Sequence, residues 1–347
     1  MPVRVLSLAT AVPPHALDQP AVMRRARALF ARHGTDIERL LPVFANSGIE
    51  RRYSCVPIDW YEDDHSWADR NRLYIENAVG LLEKLARDCA EQAGIGLDEI
   101  DNIVTVSSTG IATPSLDALL MERLTFRPDC QRLPVFGLGC AGGVLGVNRG
   151  AALTAAKRGS TTLVLVVELC ALTFRKNDSR KANIVATALF GDGAAGVLLR
   201  NDERDGPRLV AGGEHRWPGT LDIMGWDVTD QGLAVQFSRD IPTLVRERFA
   251  DVTQAFLDRN GLSLPQIDGF VCHPGGAKVI EALEDVFGLQ NGTLVDARET
   301  LRYYGNMSAA TVLFVLKRAL SRGLRGRNLL TALGPGFTAA FGVLEAA

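Results

Sequence analysis

The sequence contains one stretch twice, and this duplication limits what the chain can fold into. AEQAGIGLDEID at residues 90–101 is matched by LDRNGLSLPQID at residues 257–268. A helical stripe precedes each copy: Ala78, Val79, Leu82, Leu85, Ala86 and Cys89 in the first, Val245, Phe249, Val252 and Phe256 in the second. An apolar strand follows each, Asn102-Ile103-Val104 and Gly269-Phe270-Val271. At a matching distance further on, each copy has a glycine-led corner before a small-residue helix, Gly139-Cys140 and Gly305-Asn306. Each closes with a strand and a glycine-rich element, Gly191-Asp192-Gly193-Ala194-Ala195-Gly196-Val197 and Gly334-Pro335-Gly336-Phe337. Strands alternating with helices predict an α/β fold with largely parallel strands. The period is too long for a solenoid. Two similar halves, 1–205 and 206–347, are therefore expected to pack face to face in one compact body, with Cys140 and Asn306 facing each other across the interface.

Around this frame, Val3–Ala11 reads as a strand and the region to about residue 71 as irregular and Arg-rich. Its Asp64-His65 pair has no partner ligands at metal-binding spacing and reads as a surface loop. Gly94-Ile95-Gly96 ends the first helix. Of the 347 residues, 47% are hydrophobic and 22% charged, enough for a large core. A net charge of −2 and scattered basic residues argue against a nucleic-acid partner. The six cysteines include no CxxC pair, which predicts reduced thiols and a cytoplasmic setting rather than disulfides or zinc. The N-terminus lacks the pattern of a signal peptide. The most apolar run, residues 163–172, carries Glu168 and is too short for a membrane span.

The chemistry-bearing residues fall at the corners and strand ends. Cys140 lies between Gly137-Leu138-Gly139 and Ala141-Gly142-Gly143, a strand–turn–helix pattern. A thiol there is either a small packing residue or, at a helix N-terminus, a stabilised thiolate. Cys272-His273-Pro274-Gly275-Gly276 holds a histidine at the end of the second copy's strand, where the first copy has Ser108-Thr109-Gly110. The repeat brings Cys140, His273 and Asn306 together as nucleophile, imidazole and amide. His273 is suited to pair with a Cys140 thiolate, and both His273 and Asn306 can donate N–H groups to an oxyanion or enolate. Such a set fits acyl transfer followed by hydrolysis, or acyl transfer followed by decarboxylative carbon–carbon bond formation.

The motifs Gly139-Cys140-Ala141-Gly142-Gly143, Leu189-Phe190-Gly191-Asp192-Gly193, Cys272-His273-Pro274-Gly275-Gly276, Tyr304-Gly305-Asn306-Met307-Ser308 and Gly334-Pro335-Gly336-Phe337 resemble those of type III polyketide synthases. This is the chalcone synthase-like family of the thiolase superfamily. The resemblance implies a thiolase-like fold of two pseudo-symmetric halves in five α-β-α-β-α layers, and a homodimer. It implies acyl-CoA starters loaded on Cys140 and malonyl-CoA extenders whose enolate His273 and Asn306 stabilise, without cofactor or metal. Phe190 matches one gatekeeper of the cavity mouth, and the second falls at Val235. Cys170, Thr173 and Trp226 match lining positions, Phe337 closes the last motif, and Thr113 matches the residue that reaches into the partner's cavity. Arg39 matches one basic coenzyme A contact, but the other two positions hold Pro42 and Asn46. Arg51 and Arg52 are candidates by proximity, and Gly275 and Gly276 by motif. Glu168-Leu169-Cys170 and Met224-Gly225-Trp226 are similar to bacterial members, among them makers of alkylpyrones and alkylresorcinols from fatty acyl-CoA, the favoured reading, and of tetrahydroxynaphthalene from malonyl-CoA alone. The alternatives are a malonyl-primed synthase making tetrahydroxynaphthalene or a small phenolic and, in a different class, a thioesterase using the same triad.

Overall fold

A computed structural model describes residues 2–32, 37–238 and 240–347 of the chain. The first half runs β1 (Val3–Ala11), β2 (His15–Asp18), α1 (Gln19–Arg32), α2 (Pro42–Ala45), β3 (Arg51–Ser54) and α3 (Trp67–Ala93). It continues with β4 (Asn102–Val106), α4 (Leu116–Met121), β5 (Gln131–Val135), α5 (Gly142–Ala155), β6 (Thr161–Leu169), α6 (Lys181–Leu189) and β7 (Asp192–Asn201). The second half opens with β8 (Arg208–Arg216), the ribbon β9 (Met224–Thr229) and β10 (Gly232–Phe237), then α7 (Ile241–Arg259) and β11 (Gly269–Cys272). It ends with α8 (Ala277–Val286), α9 (Val295–Tyr304), α10 (Thr311–Ser321), β12 (Gly326–Gly334) and β13 (Thr338–Ala346).

The duplication is visible in the strand pairing. The main sheet has nine strands in the order β11-β12-β13-β8-β1-β7-β6-β4-β5. Read outward from its centre, β1-β7-β6-β4 in one half corresponds to β8-β13-β12-β11 in the other. Each set is antiparallel, antiparallel, then parallel. The halves join where Val3 and Arg4 pair with Leu209 and Arg208. The expectation of largely parallel strands is corrected: only β4·β5, β4·β6 and β11·β12 are parallel. The reason is local in the second half, because Pro335-Gly336-Phe337 turns β12 straight into β13, too short for a crossover helix.

Alternation along β6 builds two cores at once. Val164 and Val166 face α5, while Leu163, Leu165, Val167 and Leu169 face α3. Helix α5 packs against strands of both halves and against α10, forming the central layer of an α-β-α-β-α stack in which α3 and α7 are outer helices. Close approach there is written in Gly143, where a Cβ would lie 2.2 Å from the Ala309 carbonyl oxygen.

The first 71 residues are more ordered than their composition suggests. Helix α1 occupies part of them, with Ala26, Leu29 and Phe30 buried. Helix α3 starts at Trp67, fixed by a reciprocal Ser66–Asp69 capping box, and ends where Gly94 takes left-handed angles. Among the described residues no helix is long and apolar enough to cross a membrane.

Candidate active site

The Cys140 corner is held from three sides. Strand β5 ends at Val135, Gly139 takes a φ of 45°, and a 3-10 turn over Gly139–Ala141 leads into α5. The Gly139 amide donates to the Ser108 hydroxyl at 3.1 Å. A Cβ on Gly139 would come within 2.6 Å of Pro335, so the β12–β13 turn braces this corner directly.

His273 continues β11 by one residue, its amide donating to the Thr331 carbonyl at 2.8 Å. Neither ring nitrogen has a hydrogen-bond partner among the described residues, although the side chain is buried. Asn306 is oriented through both ends of its amide: Oδ1 accepts from the Ser308 amide at 2.8 Å, and Nδ2 donates to the Gly275 carbonyl at 3.2 Å. Its backbone pairs with the segment before β7, accepting from Gly191 at 3.0 Å and donating to Leu189 at 2.8 Å. Cys140, His273 and Asn306 line one cavity of about 440 Å³. The structure thus brings the three expected residues together.

Burial pushes the Cys140 thiol up to about 12, opposed by hydrogen bonds from the Ser308 and Asn306 side chains. Burial also pushes the His273 imidazole down to about 3. Neither group ionises readily alone. Proton transfer from Cys140 to His273 creates both charges together, and their attraction offsets the desolvation that each would suffer singly.

Two residues of this network carry signals that sequence reading passed over. Glu168 interrupts an apolar strand and is fully buried, accepting from the Ser108 amide and the Thr109 hydroxyl, both at 2.9 Å. Ser308 is the one non-glycine residue with positive φ among those described, and its side chain acts against the upward shift of both Cys140 and Glu168. Burial raises Glu168 from 4.5 to about 7. A raised folded-state pKa gives stability that is full below pH 4.5 and lost as pH rises through 7. Glu168→Gln is therefore expected to show a shallower fall in Tm than the parent between pH 5 and 8. An identical slope in thermal melts would remove Glu168 as its cause.

Four of the substrate-binding candidates line a second cavity, and none of them lines this one. Cys170, Thr173, Phe190 and Val235 line an adjoining cavity of about 630 Å³, walled by Val22, Ala26 and Leu29 of α1 and by Tyr61 and Phe174. Trp226 stands 6.0 Å from Phe190 between ring centroids, and Phe237 stands 5.5 Å from it. Phe237 also lines the Cys140 cavity, so the Phe190–Phe237 pair separates the two spaces. Phe337 is buried in a stack on Trp217, 5.3 Å between centroids, and is not among the residues lining either cavity. Thr113 is exposed in the loop before α4 and lines neither cavity of its own chain.

A groove of about 1510 Å³ runs outward from the Cys140 cavity, sharing Phe237, Ile241, Gly275 and Val279 with it. Arg39, Gly275 and Gly276 line this groove, as do Pro42 and Asn46. Arg51 and Arg52 are not among the described residues that line it. Arg52 is buried and donates to the carbonyls of Thr187, Ala188 and Phe190 and to the Gln19 side chain. Arg51 lies over the rings of Tyr53 and Tyr303.

A pseudo-symmetric stack holding Cys, His and Asn in one cavity defines a thiolase-like condensing enzyme. The chain belongs to the chalcone and stilbene synthases: residues 2–203 match that family's N-terminal domain and residues 209–345 its C-terminal domain. It is a type III polyketide synthase, a decarboxylating acyltransferase that uses acyl-CoA and malonyl-CoA. It is 40% identical to a putative chalcone synthase of Bacillus subtilis, covering 96% of each chain. It is 36% identical to 1,3,6,8-tetrahydroxynaphthalene synthase of Streptomyces peucetius, over 98% of this chain and 92% of that one. Among solved structures, 1,3,6,8-tetrahydroxynaphthalene synthase from Streptomyces coelicolor superposes with a TM-score of 0.93 at 26% identity, covering 99% of this chain and 100% of that one.

Proposed function

We propose that this synthase loads a fatty acyl starter on Cys140, extends it with malonyl-CoA and cyclises the product to a pyrone or resorcinol. In this reading Cys140 passes its proton to His273 and attacks the starter's thioester carbonyl, and coenzyme A leaves as the thiol with that proton. Malonyl-CoA then loses CO2. The electron pair of the broken bond becomes an enolate whose oxygen accepts N–H groups from His273 and Asn306. The enolate carbon attacks the acyl carbonyl on Cys140 and expels the thiolate, so the lengthened chain leaves on coenzyme A and can load again.

The observation that carries the long starter is the second cavity. Its wall is largely apolar, and it adjoins the catalytic space at Phe190 and Phe237. A starter tail passing those rings exchanges water for aliphatic and aromatic surface, at roughly 0.8 kcal/mol for each buried CH2. The small Val235 leaves room at the mouth. This reading includes a homodimer in which Thr113 reaches the partner's cavity; Ile111 and Phe136, both exposed, are apolar surface near it for a second copy to cover.

The likeness to tetrahydroxynaphthalene synthases favours a second reading, priming by malonyl-CoA alone. A panel of short- to long-chain acyl-CoAs offered with malonyl-CoA, with products identified by mass, separates the two. Long-chain-primed pyrones or resorcinols are expected to dominate, and Val22→Trp is expected to shift the preferred starter to shorter chains. A malonyl-only aromatic product, unaffected by any acyl-CoA, would establish the second reading instead.

A further inference from the structure

We propose that Lys181 and Lys278 bind the phosphates of the coenzyme A thioesters at the entrance of the active site. The entrance is the outward groove that shares four lining residues with the Cys140 cavity. A thioester placed at Cys140 must leave its diphosphate and 3′-phosphate near the surface, because burying unpaired charge is far costlier than burying the pantetheine arm. The groove is suited to receive them. Among the described residues that line it there is no carboxylate, and the cations are Arg39, Lys181 and Lys278.

The two lysines are set apart by what they lack. Both are exposed, and among the described residues neither ammonium has an ion-pair or hydrogen-bond partner. Arg52, by contrast, spends its guanidinium on buried carbonyls, and Arg51 lies against two tyrosine rings. Pro42 and Asn46 line the groove without charge. The positive charge of the entrance therefore comes in large part from α6 and α8. Lys181 opens α6, and Lys278 is the second residue of α8, two positions beyond the Gly275-Gly276 pair that follows His273. A lysine serves such a site as a mobile point charge that needs no fixed fork geometry.

This inference rests on the use of coenzyme A thioesters and not on the identity of the starter, so malonyl-CoA is the probe. Steady-state kinetics would compare the parent with Lys181→Glu, Lys278→Glu and the double variant. Lys157→Glu, at an exposed lysine just past the C-terminal end of α5, is a charge-matched control. Each test reversal is expected to raise the KM for malonyl-CoA about tenfold, the double variant more, with kcat within about twofold of the parent. With malonyl-pantetheine, which carries no phosphate, all variants are expected to match the parent. Added salt is expected to raise the parent's KM for malonyl-CoA and to affect the double variant much less. An unchanged KM for malonyl-CoA in the double variant would overturn the proposal, as would an equal rise with malonyl-pantetheine. Failure here leaves the starter reading untouched, because the acyl-CoA panel measures a different cavity.

Discussion

Cys140→Ala is expected to give no extended product with any combination of acyl-CoA and malonyl-CoA, while still releasing CO2 from malonyl-CoA. The substitution removes a single sulfur from a corner whose shape is set by Gly139, the Ser108 hydroxyl and the packed Pro335, so the fold should survive. What disappears is the only atom of the site able to hold the growing chain as a thioester. His273 and Asn306 remain, and the amide of Asn306 is still anchored by Gly275 and Ser308. Product analysis by mass alongside assay of released CO2 checks both halves of the expectation. Polyketide formation at the parent's rate would remove Cys140 from the mechanism.

His273→Ala and Asn306→Ala are expected to do the reverse and slow decarboxylation itself. In the enolate, charge moves onto the thioester oxygen, and each N–H donor held in a dry cavity strengthens as that charge develops. Losing one such donor costs about 10²–10³ in rate. His273 is free to donate because burial keeps it neutral and its ring nitrogens are not engaged elsewhere. Asn306 has one amide hydrogen committed to Gly275, which turns the side chain toward Cys140. Asn306→Asp provides a sharper comparison, since it keeps the size, replaces the donor by an acceptor and places negative charge beside the enolate. It should fall at least as far as Asn306→Ala in malonyl-CoA decarboxylation assays. Full decarboxylation in both alanine variants would contradict the enolate role.

The duplicated stretch made much of this architecture legible before any coordinates. Matched helices, strands and corners predict two related halves, and pseudo-symmetry alone places Asn306 opposite Cys140. Other features were hidden for physical reasons. Helix α1 carries its apolar positions among Arg24, Arg25 and Arg27, and they face the second cavity and a small local core rather than the sheet, so its stripe is weak. Arg51 and Arg52 are neighbours in sequence but sit on β3, where successive side chains point to opposite faces. One therefore reaches Tyr53 and the other the buried carbonyls near α6, and proximity in sequence could not separate them. Lys181 and Lys278 gave no motif, because a phosphate-binding lysine needs only to stand at the right rim. Glu168 did leave a trace, a lone acid inside an otherwise apolar strand.

The backbone pairing between Asn306 and residues 189–191 ties product diversity to catalysis. Phe190 lines the second cavity, yet its main chain is the ledge on which Asn306 rests. An insertion or deletion there would displace Asn306 along with the wall. On the proposed reading, descendants of this sequence would change what they make by exchanging side chains at positions 170, 173, 190, 226 and 235. They cannot do so by lengthening or shortening the loop between α6 and β7, and that leaves substitution as the open route to new products.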